Sequence, residues 1–324
     1  MRSHRIPVAA GRLTNLALAV VLTLAFATGW IAFELSGQSG RAVLLVHAAA
    51  GIAIVLLVPW KSLIARRGVR RQHTMLWASV ALGIGVVISI VFGLLHSAGR
   101  PDVGYLTAMD FHVGAAICVT PFFIWHVVAR PVRLRATDAS RRSFLKGAAV
   151  LGASALGVAA LPSANRAPTG SFASAYPVAT QWMFDGVPEL NAQSWALQVD
   201  GRRWTFDEVA AFDDRLTATL DCTGGWYTEQ EWGGVRLSRL LDSPAGRSSV
   251  NVRSATGYSR RFAIEDAGHM LLATRVAGGS LPAGNGFPAR LVVPGQRGFA
   301  WVKWVVAIET DDAPWWWQPP FPLQ

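Results

Sequence analysis

Four long apolar stretches in the first half of the chain constrain its fold more than any other feature. They cover Leu16–Phe33, Val43–Trp60, Met75–Leu95 and Phe111–Val128. Each is close to the ~20 residues that a helix needs to cross the hydrocarbon core of a bilayer. Hydrophobic residues make up 52% of the chain and charged residues only 15%, which is too apolar for an ordinary soluble protein. We therefore expect an all-α transmembrane four-helix bundle.

The connections between these stretches differ in charge, and the difference predicts the orientation of the bundle. Basic residues precede the first stretch, separate the second from the third and follow the fourth: Arg2, Arg5, Arg12, Lys61, Arg66, Arg67, Arg70, Arg71, Arg130, Arg133, Arg135, Arg141, Arg142 and Lys146. The other two connections hold only Arg41 and Arg100. By the positive-inside rule, both ends of the bundle face the cytoplasm. The net charge of +10 sits in these loops, so we expect no nucleic-acid partner.

A basic motif follows the fourth stretch. Ser140–Lys146 reads S-R-R-S-F-L-K and precedes a weakly apolar run, Gly147–Leu161. The motif resembles a twin-arginine export signal built on Arg141 and Arg142, which implies the twin-arginine translocation machinery as a partner. The alternative is a basic loop before an ordinary fifth span. Both interpretations place the later residues on the extracytoplasmic side of the cytoplasmic membrane, and cleavage or retention of the run stays open.

Five of the seven histidines lie in or at the edges of the apolar stretches, where an ionisable side chain indicates a function by default. His47 and His112 fall at nearly the same depth, given the rise of about 1.5 Å per residue. Imidazole is a common axial ligand of haem iron. We therefore expect His47 and His112 to hold an outer haem b. The small residues Gly51 and Gly114 lie near them in sequence.

A second haem is less firmly indicated. His126 follows His112 by fourteen residues, close to four helical turns, so the two share one face. This spacing resembles four-helix di-haem b-type cytochromes, and the resemblance implies an inner haem with His126 and either His73 or His4 as ligands. His96 is a spare outer ligand or a surface residue. For each histidine alone, an interfacial or hydrogen-bonded residue is the alternative.

The pattern changes from Ala175 onward to short alternating strands separated by Gly, Pro and Asp turns, which indicates an α+β, mainly β, domain. The expected strands are Trp195–Val199, Arg215–Leu220, Val250–Val252, Arg261–Ile264, Ala289–Val293 and Val302–Ile308. Short helices are expected near Phe206–Ala211 and Leu237–Leu241. We divide this multi-domain chain into a membrane domain at 1–135, a signal and linker at 136–170, and the second domain at 171–324.

Three motifs in the second domain resemble the sulfite-oxidase-type molybdopterin fold. They are Asp221–Trp226, Trp232–Leu241 and Gly286–Gly295, followed by Val302–Val305. The resemblance implies a Mo-molybdopterin cofactor with Cys222 as the protein ligand of the metal, and a thiolate is a soft donor that suits a transition metal. Gly224 and Gly225 would give the cofactor room beside the backbone. The other cysteine, Cys118, lies in an apolar stretch, so we expect no disulfide.

The same resemblance implies further cofactor contacts. Arg290 and Lys303 match cationic contacts to the pterin phosphate, for which both side chains are suited. Asn285, together with the backbone at Trp301 and Val302, matches cofactor contacts of the methionine-sulfoxide reductase branch. Ser254 or Thr256 is a looser match. Tyr258 is either an active-site phenol or a strand aromatic, and substrate-side residues around Thr180–Asp185 are left unassigned.

The residues after Cys222 depart from sulfite oxidases, which carry arginines there to hold an oxyanion. Thr223–Trp226 instead resembles the C-x-x-G-W of the sulfoxide-reductase branch. We predict a molybdenum oxidoreductase that exchanges electrons with the membrane quinone pool through haem b and reduces a small or protein-bound S- or N-oxide. Alternatives are a dehydrogenase working in the opposite direction and a haem protein whose outer domain lacks the cofactor and binds a partner. His269 is expected at the surface, and the Trp-rich tail in a packing or interfacial role.

Overall fold

The computed structural model describes residues 8–69, 76–99, 102–103, 106–132, 135, 138, 140–162, 165–179, 186–242 and 246–319. The chain divides into two compact units. The first consists of Met1–Ala32 and Ser39–Ala164, and the second of Phe33–Gln38 and Asn165–Gln324.

The first unit is helical. Its helices are α1 (Val8–Glu34), α2 (Gly37–Val69), α3 (Leu76–Ser97), α4 (Ala108–Ala129) and α5 (Arg141–Ala159), with a short hairpin of β1 (Asp102–Val103) and β2 (Leu106–Thr107) before α4. Among the described residues, α1 to α4 are the helices long and apolar enough to cross a membrane, which confirms four apolar helices at the predicted places. The first two turns of α5 carry Arg141, Arg142 and Lys146, which makes this helix more polar than the other four.

Close contacts between small and large side chains hold these helices together. A β-carbon on Gly85 of α3 would lie 2.0 Å from Cγ1 of Val119 on α4, so the backbone of α3 passes directly over that side chain. On α1, Phe26 stacks on Phe123 of α4 with ring centroids 5.8 Å apart. Packing of this kind, rather than apolar burial from water, drives helix association in a membrane.

Helix α5 and the segment before it are also fixed to the first unit. Asp138 forms a bidentate ion pair with Arg12 of α1. The Ser140 side chain caps the N-terminus of α5, which satisfies one of the amides that a helix start leaves unpaired. Further along α5, a β-carbon on Gly157 would lie 3.0 Å from Cδ1 of Ile52 on α2. The basic motif therefore begins a helix that packs against α2.

The second unit is mainly β, as predicted. Its strands are β3 (Phe172–Ala173), β4 (Ala196–Val199), β5 (Arg202–Thr205), β6 (Asp214–Asp221), β7 (Trp226–Arg236), β8 (Ser249–Ser254), β9 (Ser259–Ala263), β10 (Leu271–Val276), β11 (Gly279–Ser280), β12 (Arg290–Val292) and β13 (Val305–Asp311). Helix α6 spans Phe206–Ala210, and 3-10 turns cover Leu237–Arg239, Ile264–Gly268, Ala283–Asn285 and Gly298–Ala300.

The strands form two larger sheets. One has the order β11-β10-β7-β3, with β12 also paired to β10 and β6 to β7, and the other has the order β5-β4-β13-β8-β9. The pairs β3–β7 and β4–β13 are parallel, and the other pairs are antiparallel. One apolar cluster joins residues of both sheets, with Trp232 and Trp301 fully buried in it. Their rings meet edge to face at 5.5 Å.

Six strands were expected in the second unit and eleven are observed, because β3, β5, β7, β10 and β11 were not expected. Two of the departures have identifiable reasons. The eleven-residue β7 was not predicted, because Gly233 and Gly234 interrupt its apolar pattern. The structure requires Gly234, since a β-carbon there would lie 2.0 Å from the carbonyl oxygen of Leu272 on β10. The last strand begins at Val305 rather than Val302, because Trp304 adopts a φ of 53°, which breaks the extended backbone.

Candidate functional site

Cys222 occupies the first position of the turn between β6 and β7. Its amide donates to the carbonyl of Trp226 at 2.8 Å, and the Gly225 amide donates to the carbonyl of Cys222 at 3.0 Å. The Gly224 amide lies 3.4 Å from the sulfur and donates to it. Gly225 has a φ of 90°, so this glycine serves the turn. The thiol therefore lies on a turn directly after β6, the strand that was expected at Arg215–Leu220.

Three residues expected to contact the cofactor converge on the 3-10 turn Ala283–Asn285. Arg290 donates to the main-chain carbonyl of Asn285 at 3.1 Å, and Lys303 Nζ donates to the carbonyl of Gly284 at 3.0 Å. The Asn285 side chain donates to the carbonyl of Pro177 at 3.0 Å. The structure therefore brings Asn285, Arg290 and Lys303 together, as the sequence resemblance implied.

Arg290 is a buried cation that lacks a counter-ion in the described part of the chain. It is 3% exposed, and its guanidinium carbon lies 5.6 Å and 5.7 Å from the ring centres of Trp232 and Trp301. Burial lowers the pKa of Arg290 to about 10, and the proximity of Cys222 opposes this effect. The guanidinium is therefore still charged at neutral pH, and a buried charge of this kind requires an ionic partner.

Two buried polar atoms of the same cluster also lack a partner within the residues that the structure describes. They are Oδ1 of Asn285 and Nε of Arg290. Buried polar groups in proteins are normally satisfied, so an acceptor atom and a donor atom with no protein partner fit a bound polar group. A half-buried thiol, a buried cation and an unused amide oxygen together match the needs of a metal–pterin phosphate cofactor.

Two glycines let separate loops approach this cluster. Gly286 has a φ of 114°, and a β-carbon there would lie 3.1 Å from Cβ of Arg290 and 3.2 Å from Cα of Lys303. A β-carbon on Gly298 would lie 2.9 Å from Cα of Cys222. The loop that holds Gly298 therefore approaches the cysteine turn closely, which a side chain at this position would prevent.

The remaining predicted cofactor residues are held by contacts within the domain. The amide of Val302 donates to Ala300, and its carbonyl accepts from Leu291 at 2.8 Å. Trp301 is buried, and its indole donates to the Gln296 carbonyl at 3.2 Å. Trp301 and Val302 directly follow the 3-10 turn Gly298–Ala300, in which Gly298 lies against Cys222.

Ser254 and Tyr258 lie at the β8–β9 turn. The hydroxyls of Ser254 and Thr256 are 3.1 Å apart, and the Tyr258 phenol donates to the carbonyl of Phe299 at 2.7 Å. Burial raises the pKa of Tyr258. The phenol is therefore engaged by the backbone of the 3-10 turn Gly298–Ala300.

In the helical unit, His47 and His112 face each other. Their ring centroids are 5.6 Å apart and their planes are nearly perpendicular. Nδ1 of His47 lies 2.9 Å from the carbonyl oxygen of Ala25, and Nδ1 of His112 lies 2.7 Å from that of Ser89. A carbonyl can only accept, so Nδ1 carries the proton and Nε2 is left as the basic nitrogen. An imidazole whose Nδ1–H is held by a backbone carbonyl is common among metal-ligating histidines.

Gly51, which was expected beside His47, does not make room for its ring, and two other glycines lie against the two imidazoles. Nothing lies within 4 Å of a β-carbon built on Gly51. A β-carbon on Gly29 of α1 would instead lie 3.0 Å from His47, and one on Gly93 of α3 would lie 2.9 Å from Nδ1 of His112. Sequence adjacency misled here, because the glycine that matters belongs to the neighbouring helix.

The other histidines are less informative. Nδ1 of His126 lies 3.4 Å from the hydroxyl of Ser79, whereas its expected partners His73 and His4 lie outside the described residues. His96 is 5% exposed, so the surface alternative for it was wrong. His269 is exposed, as expected. Thr180–Asp185 also lies outside the described residues.

Sequence reasoning missed a buried ion pair beside the cysteine. Arg297 NH1 lies 2.7 Å from Oδ1 of Asp221, and these residues are 6% and 9% exposed. Cys118 and Cys222 form no disulfide. The sequence does show Asp221 directly before Cys222, and Arg297 directly before Gly298. Neither pattern is specific to a buried ion pair.

Comparison with known proteins agrees with this site. Residues 184–317 match the family described as "Oxidoreductase molybdopterin binding domain". A protein of Azospira oryzae, provisionally named protein-methionine-sulfoxide reductase subunit YedZ1, is 29% identical over 41% of this chain and 55% of that protein. The protein-methionine-sulfoxide reductase catalytic subunit MsrP of Xanthomonas campestris is 35% identical over 37% of this chain and 45% of MsrP. Mitochondrial sulfite oxidase of Mus musculus is 29% identical over 41% of this chain and 32% of that protein.

The chain thus spans between about a third and just over half of the lengths of these relatives. The part that matches the family model contains Cys222, Asn285, Arg290 and Lys303. The second unit of this chain is thus similar to molybdopterin-binding oxidoreductase domains, including parts of sulfite oxidase and of protein-methionine-sulfoxide reductase.

Proposed function

We propose that this protein is a membrane-anchored molybdenum oxidoreductase that takes electrons from the quinone pool, passes them through haem b and reduces an S- or N-oxide outside the cytoplasmic membrane. The observation that carries the proposal is the buried Arg290, which has no acidic partner in the described residues and lies close to Cys222. A cation in that position has little use unless an anionic cofactor occupies the space beside it.

The residues of the second unit have distinct roles in this proposal. Cys222 would hold the metal through its sulfur, and Arg290 and Lys303 would bind the pterin phosphate. Asn285 would use its unpartnered Oδ1 as an acceptor from the pterin. When bound, the cofactor supplies two-electron oxygen-atom transfer, and the protein orients it and excludes competing chemistry.

The charge around Cys222 supports an uncharged oxide rather than an oxyanion as substrate. The turn after the cysteine, Thr223–Trp226, carries no cationic side chain. Arg297 does lie beside this turn, but its charge is already paired with Asp221. A sulfoxide or N-oxide needs no fixed cation, whereas sulfite does. The names of the methionine-sulfoxide reductase relatives point the same way.

The helical unit would supply the electrons. His47 and His112 would hold an outer haem through Nε2, because both Nδ1 atoms are engaged by backbone carbonyls. An inner haem would be held by His126 together with His73 or His4. Export of the second unit by the twin-arginine machinery, through Arg141 and Arg142, would place the molybdenum site on the extracytoplasmic side.

The direction of electron flow can be tested in the purified full chain. We expect a reduced quinol to drive turnover of a methyl sulfoxide or of methionine sulfoxide, with the haem oxidised on addition of the oxide. Cys222→Ser should abolish this turnover and leave the haem spectrum unchanged. Haem reduction by sulfite, with no turnover of any oxide, would instead show a dehydrogenase.

A further inference from the structure

The Asp221–Arg297 pair is the strongest feature of the second unit that the proposed function does not use. Asp221 ends β6 and directly precedes Cys222, whereas Arg297 directly precedes Gly298. The two residues form an isolated parallel β-bridge in addition to their ion pair. The pair therefore joins the cysteine turn to the loop whose backbone lies against that turn.

Two hydroxyls complete the shell around the carboxylate. Thr169 Oγ1 donates to Oδ2 of Asp221 at 2.6 Å, and Ser171 Oγ donates to Oδ1 at 2.6 Å. Ser171 is 1% exposed. With the ion pair to Arg297, three side chains from two distant segments surround one carboxylate, so Asp221 is held in a fixed position.

The turn that presents these hydroxyls is itself ordered. The Ala167 amide donates to the carbonyl of Ser171, and the Gly170 amide donates to that of Ala167, both at 2.9 Å. Arg166 lies over the ring of Phe172 at 4.0 Å, and Phe172 pairs with Trp226 across β3 and β7. Trp226 is the residue whose carbonyl accepts from Cys222. The segment 165–173 is therefore part of the structure that fixes the cysteine turn.

We propose that the Asp221–Arg297 ion pair, with Thr169 and Ser171, positions Cys222 as a metal ligand and balances the charge beside it; this inference rests on the proposed function of Cys222. Asp221 and Arg297 are positioning residues that act through the backbone of the adjacent cysteine and glycine. Because the pair contributes one charge of each sign, the metal site sees almost no net charge from it. Removing either member leaves the other as an uncompensated buried charge.

The test compares Asp221→Asn, Arg297→Gln and the double variant in the full chain purified with its cofactor. Each single variant should retain roughly 10- to 100-fold less molybdenum per chain, as for other residues that orient a metal ligand. The double variant should recover much of this loss, because neither charge is left alone. The proposal would be overturned if the double variant lost as much molybdenum as the two single variants combined. It would also be overturned if neither single variant lost molybdenum.

A second readout separates positioning from general structural support. In the molecules that keep molybdenum, the midpoint potential should rise in Asp221→Asn, since the remaining positive charge favours the reduced metal. It should fall in Arg297→Gln and return close to the wild-type value in the double variant. Shifts of the same sign in both single variants would contradict the charge balance.

A more exposed ion pair, whose carboxylate lies at the other end of β6, provides the control. Asp214 begins β6 and accepts from Arg239 at 2.8 Å, about 23 Å along the strand from Asp221 at roughly 3.3 Å per residue. Asp214→Asn and Arg239→Gln should leave molybdenum content and potential unchanged. If wild-type protein holds no molybdenum, the proposed function fails. If it holds molybdenum and the Asp221 and Arg297 variants behave like the controls, only this inference fails.

Discussion

Arg290→Met should change stability in opposite directions with and without the cofactor. Burial lowers the pKa of Arg290 from 12.5 to about 10, and at about 1.36 kcal/mol per pKa unit the charge costs the cofactor-free domain about 3 kcal/mol. Methionine removes that cost at similar volume. It also removes the hydrogen bond to the Asn285 carbonyl, worth about 1 kcal/mol. The net expected gain is about 2 kcal/mol.

For a domain of this size, about 1 kcal/mol shifts the melting temperature by roughly 2–4 °C. Cofactor-free full-length Arg290→Met should therefore melt about 4–8 °C above the wild-type protein in the transition of the second unit. In the loaded protein the same variant loses a charge-assisted contact to phosphate, worth about 1.5–3 kcal/mol, so retention of molybdopterin should fall at least about tenfold.

The assay is thermal unfolding followed by near-ultraviolet circular dichroism, on protein produced with and without molybdopterin synthesis in the host. Arg275→Met is the control, because that guanidinium already donates to the carbonyls of Ala210 and Phe212 and should be destabilising in both states. If Arg290→Met lowers the melting temperature of the cofactor-free protein as Arg275→Met does, Arg290 is an ordinary structural arginine and the argument for an anion site is refuted.

Two further predictions concern the haem and the tyrosine. Gly93→Ala should lower the haem b content per chain roughly tenfold, because the new methyl group would lie 2.9 Å from Nδ1 of His112. Gly83→Ala on the same helix is the control and should keep its haem, since no atom lies within 4 Å of the added methyl group. Equal haem spectra for the two variants would count against the site. Tyr258→Phe should lower stability by about 1 kcal/mol through loss of the bond to Phe299 while kcat stays near wild type; a large drop in kcat at unchanged molybdenum content would show that the phenol is catalytic.

The helical unit was largely predictable because its elements depend on local composition. Length and apolarity alone located α1 to α4, and depth along the helices was enough to pair His47 with His112, whose rings meet at 5.6 Å. Which glycines lie against those rings depends on how neighbouring helices pack. The sequence distance between Gly51 and His47 does not show which glycine of a neighbouring helix contacts the ring. Gly29 and Gly93 were therefore not predicted.

The second unit was less predictable because its contacts are long-range. The position of Cys222 at the end of β6 follows from an alternating strand and a Gly-rich turn. Asp221 and Arg297, in contrast, are 76 residues apart, and only a β-bridge between distant segments brings them together. Strand β7 escaped prediction because its glycines reflect the close passage of β10 and not a turn.

The resemblance to the molybdopterin fold supplied what local patterns could not. No periodicity relates Asn285, Arg290 and Lys303 to Cys222, yet all four residues were expected near one cofactor. The first three do converge on the turn Ala283–Asn285. The pattern gave no indication that Arg290 would be buried between two tryptophans.

The most direct test of the account is the molybdenum and haem content of the detergent-purified full chain, measured together with Cys222→Ser. The account predicts molybdenum and molybdopterin in the wild-type protein, loss of the metal in Cys222→Ser, and a b-type haem spectrum that is the same in both. Wild-type protein that binds neither molybdenum nor haem, or a Cys222→Ser variant that keeps its molybdenum, would contradict it.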